Sequence, residues 1–136
     1  MKPIYLILAI GFLTISCDSR YDGPTDELET LPVSQVEMPI KFAKDSITEI
    51  PVHYIRPSVC HFFYDFYYVR NNFTRTVAII ALKQNSGSNC PPSQLDYTAN
   101  IRFKPASLGT YHFKFWTGTN AQGVDQFEEY DAVVDH

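Results

Sequence analysis

The sequence is poor in the features that announce a chemistry. It has no Gly-rich phosphate loop and no Gly-x-Ser-x-Gly elbow. It has no HxH, HExxH or paired CxxC pattern of the kind that brings zinc ligands together. No run of basic residues occurs, and the formal net charge of −4 with a pI near 5.4 argues against a nucleic-acid partner. Charged residues make up 19% of the chain and hydrophobic ones 45%, which excludes a disordered or collagen-like polymer. At 136 residues there is room for one domain. Its one tryptophan and three cysteines are few enough to be considered singly.

An apolar run from Ile4 to Ile15 follows Lys2, broken only by Gly11 and Thr14. Its length of about 12 residues is short of the roughly 20 that a spanning helix needs. It fits the apolar region of a secretory signal peptide over residues 1–16. The run ends in Leu13-Thr14-Ile15-Ser16-Cys17. This resembles the lipobox of bacterial lipoproteins, in the relaxed form found in Bacteroidetes-type bacteria, with Thr14 where the common pattern has Leu. The resemblance implies cleavage before Cys17 and lipid on its sulfur and amino group. Two or more acyl chains hold a protein stably on a membrane where one does not. A cell-envelope address follows, at the outer membrane, with the periplasmic and surface faces both open. The alternative is an ordinary signal peptide with an incidental cysteine.

With Cys17 assigned to lipid, Cys60 and Cys90 remain as an even pair in an oxidising compartment. A disulfide between them closes a loop of about 30 residues and is worth roughly 3–4 kcal/mol in the chain-entropy treatment. Two buried thiols, or a metal pair with His61, are the alternatives. Residues 17–31 carry Asp18, Asp22, Asp26, Glu27 and Glu29 against Arg20, with Gly23 and Pro24, and read as a solvated acidic tether. Residues 32–136 carry nine basic and ten acidic residues, so bulk charge does not announce a binding surface.

The pattern over 32–136 has period two. Val36, Met38, Ile40 and Phe42 alternate with polar residues and Pro39; Ile50, Val52 and Tyr54 with Pro51 and His53. Cys60–Arg70 is an aromatic strand and Thr74–Lys83 a β-branched one. Leu95, Tyr97, Ala99, Ile101 and Phe103 alternate with polar residues, as do Tyr111, Phe113 and Phe115; Phe127–Val134 closes the chain. Alternation of this kind places one face on a core and the other in water. Seven strands at this spacing, with turn clusters such as 85–89 and 117–120, suit an all-β, two-sheet antiparallel sandwich. Leu108-Gly109-Thr110-Tyr111 resembles the turn before strand F of immunoglobulin-like domains, where the Tyr hydroxyl bonds backbone a few residues upstream. The resemblance makes Tyr111 structural and the domain immunoglobulin-like, without the usual inter-sheet disulfide.

In Cys60–Val69, strict alternation puts Phe62, Tyr64, Phe66 and Tyr68 on one face and His61, Phe63, Asp65, Tyr67 and Val69 on the other. Both faces are aromatic, although a sandwich strand needs only one apolar face. Phe63 and Tyr67, together with Trp116, are therefore the candidate binding surface, for a protein partner or for sugar rings. The alternatives are loops or the tether folding over the outer face, and Trp116 plugging the sandwich end. Asp65 is the one acid in that strand and is expected in solvent or beside an Arg such as Arg70. His53 and His112 alternate with core residues and are expected to face water. Asp45-Ser46-Ile47 resembles the O-glycosylation acceptor of exported Bacteroidetes proteins, which marks Ser46. The reading is a non-catalytic envelope lipoprotein, an accessory or interaction module of a larger complex, needing neither metal nor cofactor. A glycan-binding module and a small enzyme with an unrecognised site are the alternatives.

Overall fold

The computed structural model describes residues 23, 25–85 and 89–136. The segment 1–16 expected to be a signal peptide, and Cys17, lie outside them. The described residues form eight strands, β1 (Glu27–Leu31), β2 (Val33–Val36), β3 (Thr48–Ile55), β4 (His61–Asn71), β5 (Thr74–Lys83), β6 (Asp96–Phe103), β7 (Gly109–Thr119) and β8 (Asp125–Val134). They form a five-stranded and a three-stranded sheet, and no helix occurs among the described residues. The architecture is thus the expected all-β sandwich.

The small sheet is antiparallel, in the order β2-β3-β6. In the large sheet β4 and β5 form an antiparallel hairpin along their whole length, and β7 and β8 form another. The far side of β5 is shared. Ile79–Lys83 pairs antiparallel with β1, and Thr74–Val77 pairs parallel with β7. Two expectations are corrected here. The sheet is mixed, not wholly antiparallel, and the stretch read as tether supplies β1. Leu31 is buried and Pro32 follows, so the chain leaves the large sheet at a residue with no N–H to give and enters the small one at buried Val33.

Between the sheets lie Leu31, Val52, Ile50, Val77, Ile79, Ile101, Phe103, Phe113, Phe115 and Val134. Phe103 packs edge-on against Phe42, Tyr111 and Phe113. Apart from Leu31 at the end of β1 and Phe42 outside the strands, these are period-two residues of β3, β5, β6, β7 and β8. Two apolar runs behave otherwise. The strand expected through Ile40 stops at Val36. Pro39 cannot donate to a ladder, and Ile40 is 94% exposed, while Phe42 returns to the core through a bridge to Val134. Leu95 likewise lies before β6 and is exposed.

Local chemistry fixes the corners. Asn72 adopts φ 53° in the two-residue loop of the β4–β5 hairpin, a conformation Asn tolerates. Asn120 Oδ1 accepts from the N–H groups of Gln122 and Val124 and closes the β7–β8 turn. The Tyr111 hydroxyl donates to the Ser107 carbonyl and accepts from the Ser107 N–H, both at 3.2 Å, as the tyrosine-corner resemblance implies. Gly109 has φ 131°, and a Cβ there would sit 3.1 Å from the Phe73 ring, which itself packs on Tyr111. Glycine is needed at that corner.

Candidate functional site

A β-bulge reorganises the aromatic strand. Phe63 is paired with Ala81 and Asp65 with Ile80, so Tyr64 is the extra residue. One inserted residue reverses the alternation beyond it. Phe63, Phe66 and Tyr68 consequently share the inner face, opposite buried Ala81, Ile79 and Val77. Phe63 packs against Tyr54 and Phe66, at ring distances of 6.3 and 5.1 Å. It therefore does not join Tyr67 and Trp116, a correction to the single patch expected from strict alternation.

Tyr67 and Trp116 do come together. They line an open groove of about 370 Å³ on the outer face of the large sheet, with Thr30, Thr76, Ala78, Asp125 and Phe127. The topology makes the groove. Val77 is the last β5 residue paired with β7 and Ile79 the first paired with β1, so Ala78 lies at the fork between them. Its small side chain gives a low floor. Tyr67 is its partner on β4, and Trp116 pairs with Phe127 where β7 and β8 pass the fork. Trp116 Nε1–H donates to Asp125 Oδ1 at 3.0 Å, which orients the indole. Trp116 is thus half-buried on the outer face and does not plug the sandwich end. Lys114 Nζ lies 4.5 Å from the centre of the Phe127 ring. Leu28, Phe62 and Val69 are exposed on the same face. Sequence alternation marked Phe127 only as the start of the last strand, and nothing local connected Asp125 with Trp116.

The remaining candidates take structural positions. Cys60 and Cys90 form a disulfide with Cα atoms 5.4 Å apart. The bridge ties the loop before β6 to the start of β4, helped by Ser58–Pro92 pairing and Val59 N–H donating to the Pro91 carbonyl. His61 is buried beside it. His61 Nε2 lies 2.8 Å from Glu29 Oε2 and Nδ1 lies 2.8 Å from the Ser58 hydroxyl, whose oxygen accepts from the Cys60 N–H. The hydrogen bond from His61 holds the Glu29 carboxyl below its ordinary pKa, against the opposing effect of burial. This Ser–His–Glu chain joins β1, the disulfide and β4. Ser58 is only 7% exposed, so its hydroxyl serves the backbone and has little access to a substrate.

His53 lies on the outer face of the small sheet. Its ring nitrogens meet Asp96 Oδ2 at 2.8 Å and Glu37 Oε1 at 2.7 Å, with Thr98 Oγ1 also near Nδ1 and Ser34 donating to Asp96. Hydrogen bonds to Asp96 and then Glu37 raise its pKa above the ordinary histidine value. The two carboxylates cover most of the ring, so His53 faces outward but is not open to water. His112 is exposed and pairs with Asp131 at 2.5 Å. Asp65 is exposed, and its Oδ1 accepts from the Phe66 N–H at 2.8 Å. Ser46 is exposed in a turn with Asp45 at φ 61°. Among the described residues no group of three His, Cys, Asp or Glu is arranged to hold a metal ion, and no helix is long and apolar enough to cross a membrane. No protein-family model matches the chain, and comparisons with curated proteins and with solved structures find no match.

Proposed function

We propose that this chain is a lipid-anchored envelope protein whose sandwich is a non-catalytic interaction module, docking a protein partner through the outer face of the large sheet. The observation that supports it is the groove holding Tyr67, Trp116 and Phe127, with Leu28 and Val69 exposed on the same face. Contiguous apolar surface of this kind favours association, and rigid aromatic anchors carry most of the energy in such contacts. Trp116, oriented by Asp125, has little conformational freedom to lose on binding. The anchor rests on the resemblance of Leu13–Cys17 to a lipobox, and the exposure of Ser46 suits an O-glycosylation acceptor.

A glycan-binding module is the second reading. Asp125, Thr30 and Thr76 set polar groups beside the rings of the same groove, the combination that stacks a sugar and bonds its hydroxyls. Affinity purification of the full chain from detergent-solubilised membranes tests the first reading. Tyr67→Asp places a charge in the groove and is expected to remove the co-purifying envelope protein while the melting temperature holds. An unchanged set of co-purifying proteins refutes the docking face. Quenching of Trp116 fluorescence by neutral oligosaccharides, lost in the same variant, supports the glycan reading instead. Cys17→Ala is expected to shift the protein from the membrane to the soluble fraction. Retention on membranes rules out lipid as the anchor.

A further inference from the structure

The open side of the sandwich lies between two strand edges. Among the described residues β4 pairs only with β5, and β6 only with β3, and no strand closes the gap. A polar cleft of about 540 Å³ occupies it, lined by Arg70, Arg75, Arg102 and Lys104, with Asp65 as the one carboxylate in its wall. Four of the nine basic residues of 32–136 thus gather at one cavity in a segment of nearly balanced charge. Among the described residues the lysine ion pairs are made by Lys44 and Lys83, and none of these four cations reaches a carboxylate.

Arg70 and Arg75 stand directly opposite each other in the β4–β5 ladder. Like charges at such positions repel. Each guanidinium rests on a ring, Arg70 at 5.7 Å from the centre of Tyr68 and Arg75 at 5.0 Å from that of Tyr111. Arg75 Nη1 also donates to the carbonyls of Asn72 and Thr74, at 2.7 and 3.0 Å. These contacts hold the charges at the cleft wall. Planar guanidinium forks grip carboxylate and sulfate in a bidentate manner. Two opposed arginines with no protein counter-ion leave that place to an external anion.

The rest of the lining narrows the class. Asp65 Oδ1 is used by the Phe66 N–H, while Oδ2 is a further acceptor, and Asn100, whose Nδ2 donates to Glu49 Oε2 at 3.4 Å, keeps a second N–H and its carbonyl oxygen. A carboxylate in the wall opposes a bare oxyanion. It suits a ligand that carries hydroxyls beside its acid groups, and Phe66 and Tyr68 supply ring surface for the apolar face of a sugar. We propose that this cleft binds an acidic saccharide, its carboxylate or sulfate groups on the four cations and its hydroxyls on Asp65 and Asn100. The site stands at the free edges of β4 and β6, shares no lining residue with the Tyr67 groove, and is independent of the reading given for that groove.

The test is calorimetric titration of the full chain, in a neutral polyoxyethylene detergent, with a hexauronate, a sulfated hexasaccharide, a neutral hexasaccharide and hexaglutamate. At least one of the two acidic saccharides is expected to bind, and which one binds identifies the acid group. Its affinity is expected to fall steeply as NaCl rises from about 0.05 M to about 0.5 M. Arg102→Gln and Lys104→Gln, both at exposed positions, are each expected to weaken binding about tenfold at an unchanged melting temperature. Arg70→Gln is expected to weaken binding while raising the melting temperature of the ligand-free chain, because it removes the repulsion from Arg75. A merely structural Arg70 gives the opposite thermal shift. Absence of binding to both acidic saccharides, equal binding of hexaglutamate or of the neutral sugar, or unaltered affinity in the Arg102 and Lys104 variants overturns the proposal. Tyr67→Asp is expected to leave this binding intact, so the two sites fail separately.

Discussion

Replacing both Cys60 and Cys90 by Ala removes a cross-link without burying a new hydroxyl at the Cys60 position, which is nearly closed to solvent. The bridge spans a sequence separation of 30 residues. In the chain-entropy treatment that loop costs the unfolded state about 12 cal/mol/K, or about 3.6 kcal/mol at 25 °C. The folded loop keeps other ties. Val59 N–H donates to the Pro91 carbonyl at 3.2 Å, Ser93 N–H to the Pro57 carbonyl at 3.1 Å and Gln84 N–H to the Cys60 carbonyl at 3.0 Å. The variant is therefore expected to fold to the same structure and to lose stability through its freer unfolded state. With a urea m-value of about 1.5 kcal/mol/M, the midpoint is expected to fall by about 2.4 M. That is a large share of the roughly 5–15 kcal/mol typical of a folded domain. The m-value itself is expected to rise, since the uncrosslinked chain exposes more surface. Equilibrium urea unfolding of the oxidised protein and the variant, followed by Trp116 fluorescence, measures both quantities. A loss below about 1 kcal/mol at an unchanged m-value would falsify the entropic account, because the loop would then be constrained in the unfolded chain without the bridge.

Tyr111→Phe keeps the ring contacts with Phe73 and Phe103 but deletes the hydroxyl that bonds both backbone groups of Ser107. Ser107 is exposed and water takes over its groups, so the cost is expected to be about 1 kcal/mol, seen as a lower melting temperature; an unshifted melt contradicts the corner's role. His53 titrates above its ordinary value of 6.5 because Asp96 and Glu37 bond its charged form, with Thr98 and Ser34 completing its surroundings. Its stabilising effect is complete below pH 6.5 and disappears as pH climbs through the raised folded value. Wild type is expected to lose melting temperature over that window relative to His53→Gln. Parallel pH curves for the two proteins contradict it.

Much of the sandwich is legible in the linear order of residues, because its causes are local. Alternation in β3 and β7 reports which side chains face the core, since a strand has period two whatever it pairs with. The Gly109–Tyr111 corner is made by residues adjacent in the chain, and the expectation that Cys17 carries lipid leaves Cys60 and Cys90 to pair with each other, as they do. The candidate site was legible only in part. Tyr67 and Trp116 could be singled out as surplus aromatic residues, but their meeting depends on the fork at Ala78, where β1 and β7 share one side of β5. Strand pairing between segments dozens of residues apart is set by the packing of the whole core, and no local pattern encodes it. The same holds for β1, whose acidic composition suits a tether until β5 offers its backbone an edge. Phe63 and Tyr67 part to opposite faces because one extra residue at Tyr64 reverses every orientation beyond it. The basic cleft arises from Arg70 on β4, Arg75 on β5, Arg102 on β6 and Lys104 just past its end, cations that are unremarkable one by one. Sequence determined which residues could be strand and which face of each could be buried. Tertiary structure decided which surplus rings and charges became neighbours, because adjacency across a sheet is a property of register and strand order.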